Sequence, residues 1–166
     1  MYFGLSEEQE FFQDNVKKFL TDNASIDEIR KIASGEGKEV QAEIYQGIIN
    51  LGVNALLVPE KYGGLGLSLL HAVAISQALG SGVGPIPFSG SYVMAPIAIK
   101  LGGNIDQTTK ILNEMSVGNI KFGIGFSDYF GSRNSSKINF SGQVVNGNTL
   151  FVIDTDHATH LLVSDA

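Results

Sequence analysis

"VPEKYGGLGLS", residues 58–68, interrupts a chain whose apolar residues otherwise recur at helical spacing. Gly63, Gly64 and Gly66 permit backbone angles that side chains forbid, so the chain turns tightly here. Three roles suit such a turn: a cradle for a phosphate, the hinge of a lid, or a reversal between two packed helices. What flanks it narrows the choice.

Upstream, Ser6 and Gln9 form a capping-box pattern, and Phe12, Val16, Phe19 and Leu20 follow on one helical face. Ile26, Ile29 and Ile32 predict a second, short helix, and Ile44, Ile48 and Leu51 a third, stopped by Gly52 as its C-cap. Downstream, Ser68 is placed to cap a fourth helix with Leu70, Val73, Ala74 and Leu79 inward. Pro85 and Pro87 then force an extended path. A helix through "SYVMAPIAIK" (residues 91–100) carries Pro96 near its start or at a kink. Asp106 opens a last helix bearing Ile111, Leu112 and Met115, and Gly118 closes it.

Near residue 119 the period changes from 3.6 to 2. "IKFGIGFS", "KINFSG", "QVVNGNTLFVI" and "HATHLLVS" are short, β-branched or aromatic, and separated by Gly, Asn and Ser. Val145 to Asn148 carries a hairpin-turn signal. Helices followed by strands, without βαβ alternation, indicate an α+β fold. The expectation is an N-terminal all-α helical domain over 1–118 and an incomplete antiparallel β-domain over 119–166.

Composition narrows the function. With 43% hydrophobic and 17% charged residues, the 166-residue chain suits a compact globule rather than a disordered tail. It has no cysteine, which excludes disulfides and thiol chemistry. A formal charge of -6 argues against nucleic acid, and Arg30 and Arg133 are its only guanidinium groups. No apolar run reaches the ~20 residues of a membrane span, and the N-terminus lacks a basic signal-peptide start. A soluble, cytoplasmic protein is expected.

Glycine spacings invite a dinucleotide reading that fails each time. Gly64-x-Gly66 is followed by Leu69, Gly82-x-Gly84 by Pro87, and Gly123-x-Gly125 by Asp128, where a third glycine is required. Gly-x-Ser-x-Gly is absent too. Asp154, Asp156, His157 and His160 form the one ligand-like cluster. Strand geometry separates 157 and 160 onto opposite faces, so they read either as solvated residues at a connection or, given a turn, as metal ligands.

"LGVNALLVPEKYGGLGLS" (51–68) resembles the segment joining two N-terminal helices of flavin-dependent acyl-CoA dehydrogenases. "MSVGNIKFGIGFSD" (115–128) is similar to that family's passage from a helix into its first strand, and "VVNGNTLFVIDTDHATHLLV" (144–163) to its later strands. The resemblance implies that the glycine turn reverses the chain between packed helices. It implies FAD as cofactor, acyl-CoA as substrate, and desaturation by proton loss at the α carbon with hydride transfer to the flavin. Carried over by position, Ser127 stands at the hydroxyl that bonds the flavin edge, with Ile124 and Phe126 supplying neighbouring backbone. Gly131 and Ser132 resemble the Gly-Ser near the phosphates, and Phe151, Val152 and Ile153 the aromatic segment flanking the ring. Ordinary sheet packing explains Phe126 and Phe151 equally well. Phe88, Ser89 and Tyr92 fall where the far end of the acyl chain would lie, with helix packing as the alternative.

The chain also departs from the family pattern. Asp128-Tyr129 replaces Glu-Pro, Thr149 replaces a lysine, and Ile153 replaces a hydroxyl residue. Nothing matches the family's C-terminal glutamate base, and neither Glu60 nor Glu114 is a placed substitute. The expectation is therefore a portion of such an enzyme, homo- or hetero-oligomeric and not catalytic by itself. The alternative is a non-catalytic interaction subunit docking on a catalytic partner, a reading that "GSGVGPIPFSGSYVMAPI" (80–97) also resembles.

Overall fold

The computed structural model describes residues 4–126 and 138–164. Six helices come first: α1 (Glu7–Asn23), α2 (Ile26–Ala33), α3 (Lys38–Asn50), α4 (Leu69–Ser81), α5 (Ala95–Gly102) and α6 (Ile105–Ser116). A π-helical turn, Ser89–Met94, leads into α5, and two single 3-10 turns, Val53–Ala55 and Glu60–Tyr62, precede α4. Four short strands follow: β1 (Phe122–Gly125), β2 (Asn139–Ser141), β3 (Val144–Asn146) and β4 (His160–Val163). The expected α+β order holds among the described residues, and none of the helices is long and apolar enough to cross a membrane.

Local chemistry starts the helices. Ser6 and Gln9 form the predicted capping box, and Ser25 with Glu28 forms a second at α2. Each box offsets unsatisfied first-turn amides and contributes about 1 kcal/mol. α1 and α4 run in the same direction, since Glu8 meets His71, Gln13 meets Ala74 and Gln77, and Leu20 meets Gly82. Around this pair Val16, Leu20, Ile44, Ile48, Leu56 and Ile75 are almost wholly buried. Burial of each such side chain is worth roughly 1.5–3 kcal/mol. A second core joins Val58, Tyr62, Ile99, Leu112 and Met115 to Phe122 and Ile124 of β1, tying the first strand to α5 and α6.

The 58–68 turn is a chain reversal. Its amides are consumed internally: Leu65 N–H donates to Ala55 O (2.9 Å), Gly66 to Val58 O (2.8 Å) and Leu67 to Leu56 O (2.9 Å). That leaves little of a phosphate cradle. Gly63 and Gly66 take left-handed angles, φ +77° and +62°, while Gly64 lies directly on the Val58 backbone.

Four expectations change. On α4, Leu70 and Val73 face outward, and His71, Ala72, Ala74, Ile75, Ala78 and Leu79 face inward. That helix is apolar nearly all round, so the partner α1 selects the buried face. The Ser68 side chain makes no capping hydrogen bond to the helix backbone, and its Oγ instead pairs with His71 Nδ1 at 3.0 Å. The hairpin turns at Gly142-Gln143, between β2 and β3, whereas Asn146 ends β3 and Gly147 follows with φ +154°.

The antiparallel sheet is the fourth correction. β2 and β3 do pair antiparallel, but β1 and β4 pair parallel, with Phe122 opposite His160 and Gly125 opposite Val163. The long connection between Gly125 and His160 allows a parallel return that a two-residue turn forbids. Residues 149–153 form no strand; Ile153 alone makes an antiparallel bridge, to Ile124, because Phe151 and Asp154 bend the chain at φ +55° and +57°.

Candidate functional site

An open groove of about 930 Å³ lies where the ends of α2 and α4 meet the proline loop and residues 154–157. Ile29 and Ile32 of α2, Leu79 of α4, and Ile86 and Phe88 supply apolar walls. The prolines matter here: Pro85 and Pro87 each sit at the centre of a tight three-residue turn, closed by the Ile86 amide donating to Gly84 O (2.9 Å) and the Phe88 amide donating to Ile86 O (3.0 Å).

Asp154 fastens the groove's far end. Its Oδ2 accepts hydrogen bonds from the Gly90 and Ser91 amides, 2.5 and 3.1 Å, at the start of the π-helical turn. These are two of the first-turn donors that a helix cannot satisfy itself. Gly90 is required for the approach: a Cβ there would stand 2.8 Å from Asp154 Oδ2 and 3.0 Å from Ile124 Cγ1. Ser91, wholly buried, accepts from the Phe122 amide at 3.0 Å and adds a second tie to β1.

Beneath this joint Tyr92 donates to the Tyr45 hydroxyl at 2.9 Å. Burial, with Asp154 adding to it, pushes the Tyr45 phenol up to about 12 despite the hydrogen bond from Tyr92. Burial raises the Tyr92 phenol further, and the neighbouring Tyr45 reinforces the shift. Both phenols stay neutral at physiological pH. His157 stacks edge-on against Tyr45, and Lys121 Nζ lies 4.0 Å above the same ring. Burial lowers the Lys121 pKa.

The residues singled out from sequence separate into three groups. Phe88 and Ser89 line the groove, whereas Tyr92 is 1% exposed and turned to Tyr45. Ile124 is buried, and its backbone N–H and C=O are both exchanged with Ile153 at 3.0 Å, so neither group is free for a ligand. Phe126 is half-buried against the second core, Val152 packs at Gly125, and Phe151 is 77% exposed. Ser127, Gly131 and Ser132, like Asp128 and Tyr129, lie outside the described residues.

The described part of the segment expected to face a flavin therefore presents apolar and aromatic side chains. The hydroxyl donors expected for a flavin are among the residues not described. Asp154, Asp156, His157 and His160 do not converge: Asp154 caps the π-helical turn, His157 stacks on Tyr45, and His160 on Phe122. Among the described residues no three ligating side chains could hold a metal. Glu60 is exposed on its 3-10 turn, and Glu114 accepts from Asn119 at 2.8 Å.

Sequence reasoning did not find Asp154 as a helix cap, Tyr45 as the partner of Tyr92, or the groove itself. The two side-chain pairings span 64 and 47 positions, and the groove joins residues as distant as Ile29 and His157, for which one sequence carries no signal.

A helical layer followed by short strands, with an open groove between the helix ends and residues 154–157, defines an α+β protein. The sequence model for the acyl-CoA dehydrogenase N-terminal domain matches residues 6–119, and the chain belongs to the acyl-CoA dehydrogenase family. It is 28% identical over 144 residues to the mitochondrial isovaleryl-CoA dehydrogenase of Bos taurus, covering 86% of this chain and 32% of that protein. The acyl-CoA dehydrogenase of Bacillus anthracis in complex with FAD superposes with a TM-score of 0.77 at 21% identity, over 96% of this chain and 28% of that one. The ChsE4-ChsE5 complex from Mycobacterium tuberculosis gives 0.73 at 21% identity, over 98% and 43%. This chain thus spans about a third of the curated relative's length and under half of these solved chains.

Proposed function

We propose that this chain supplies the N-terminal helical portion and part of the β portion of a flavin-dependent acyl-CoA dehydrogenase. The observation that carries the reading is the groove bounded by Phe88 and Ser89, at the joint where Asp154 holds the β segment to the helices. An acyl chain would lie along its apolar walls. Phe126, Phe151, Val152 and Ile153 would pack against FAD, with Ser127, Gly131 and Ser132 as its polar contacts. Bound flavin would supply the hydride acceptor for α,β-desaturation of an acyl-CoA thioester. The base would come from another segment or subunit, since Glu60 and Glu114 are placed elsewhere.

The assembly is proposed as a cytoplasmic homo- or hetero-oligomer. A second reading, a non-catalytic subunit docked on a catalytic partner, gains support from the likeness to the ChsE4-ChsE5 complex. Purification of the assembly from its native source tests both. An assembly whose flavin absorbance bleaches with an acyl-CoA supports the first reading, and intact mass shows whether the flavin rides on this polypeptide or on a partner. A native assembly without flavin, together with no acyl-CoA binding, overturns both.

A further inference from the structure

We propose that Asn146 is a self-modification site, where the chain converts an asparagine into aspartate or isoaspartate without an enzyme. The inference is independent of the acyl-CoA reading. Asn146-Gly147 is the one Asn-Gly pair in the sequence. Its composition suits a hairpin turn, yet the chain turns at Gly142-Gln143 and leaves Asn146 as the last residue of β3. No turn holds the pair.

The reaction needs only water. The Gly147 backbone nitrogen attacks Asn146 Cγ, the Cγ–Nδ2 bond breaks, and the side-chain nitrogen leaves as ammonia with the proton that the backbone amide loses. Water then opens the five-membered imide at either carbonyl, giving an aspartate or an isoaspartate at position 146. Nothing is oxidised or reduced. Glycine favours the step because it has no Cβ to crowd its nitrogen or restrict the backbone.

Three observations place the reaction here. Asn146 and Gly147 are both exposed, so water reaches the Cγ. Among the described residues, neither the Asn146 side chain nor the Gly147 N–H has a hydrogen-bond partner that must first be broken. β2 and β3 form a sheet of three register pairs, separate from β1 and β4, and Val144 and Val145 are both more than half exposed. An extended strand holds the nitrogen and Cγ apart, so the rate follows how readily the end of β3 opens. A lone two-stranded hairpin is marginal in water, and opening its last pair, Asn139 with Asn146, costs little. Asn148 is an internal control: it is exposed too, but it precedes Thr149, whose branched side chain hinders the same approach. The product adds one negative charge to a chain of formal charge -6. Isoaspartate also adds a main-chain methylene, which breaks the register with Asn139.

The test incubates the 166-residue chain at neutral pH and physiological temperature, beside a synthetic peptide of residues 142–151. Peptide mass mapping follows both, with fragmentation that separates isoaspartate from aspartate. Asn146 should convert at a rate within about tenfold of the peptide, and at least about tenfold faster than Asn148. Gly147→Ala should slow conversion about tenfold in both chain and peptide, and the peptide result stands even if the variant chain misfolds. A chain slower than the peptide by more than about tenfold overturns the inference, because the hairpin would then stay closed. Equal rates at Asn146 and Asn148, or a Gly147→Ala peptide that converts as fast as its parent, overturn it as well.

Discussion

Gly64→Ala is the sharpest test of how the 58–68 turn works. The new Cβ would stand 2.0 Å from the Val58 carbonyl oxygen and 2.4 Å from Val58 Cβ. Backbone cannot rotate aside as a flexible side chain can, so the two segments must separate by more than an ångström. That movement removes the Gly66–Val58 and Leu67–Leu56 hydrogen bonds, 2.8 and 2.9 Å. Overpacking costs about 1–3 kcal/mol and each of the two lost bonds about 0.5–1.5, giving roughly 2–6 kcal/mol together. In a domain of this size that lowers Tm by about 4–24 °C. Gly63→Ala is the internal comparison: its φ of +77° costs about 1–2 kcal/mol, and its nearest obstacle is only the Ser116 hydroxyl at 3.0 Å. Urea unfolding with amide exchange measures both. A Gly64→Ala protein within about 1 kcal/mol of the parent, with Gly66 and Leu67 still protected, refutes the reasoning.

Asp154→Asn keeps the shape but removes the charge from the bonds to Gly90 and Ser91, and should cost about 1–2 kcal/mol, with faster exchange at those two amides. Asn54→Ala should cost about 1–3 kcal/mol, because Asn54 Nδ2 donates to Met115 O and Ser116 O at the buried end of α6; unchanged urea midpoints would rule this out. The tyrosine pair predicts an alkaline limit. Its pKa values are raised in the fold, so the stabilisation is complete below the ordinary value of 10.0 and is lost as pH rises toward about 12. Absorbance at ~295 nm and urea midpoints across that window should move together, and Tyr45→Phe/Tyr92→Phe should flatten the dependence.

The sequence by itself determined the helical order and most boundaries, because those signals are local. Ser6 and Gln9 are three residues apart and cap α1 wherever it packs. Gly52 and Gly118 stop their helices through their own backbone freedom, φ +77° and +80°. The family was also legible, since 51–68 combines a proline, an aromatic and three glycines at fixed spacing.

Facing and pairing were left to tertiary structure. α4 is apolar on nearly every side, so only contact with α1 turns Leu70 and Val73 to solvent and His71 and Ala74 inward. The direction of β4 depends on a partner 38 positions away in sequence, and side-chain alternation is the same in parallel and antiparallel strands. Asp154 looked like one of four clustered ligands, yet its bonds run to Gly90 and Ser91 across 63 and 64 positions. Periodicity and caps act within a turn or two of chain, whereas the groove and its latch exist only after distant segments have packed.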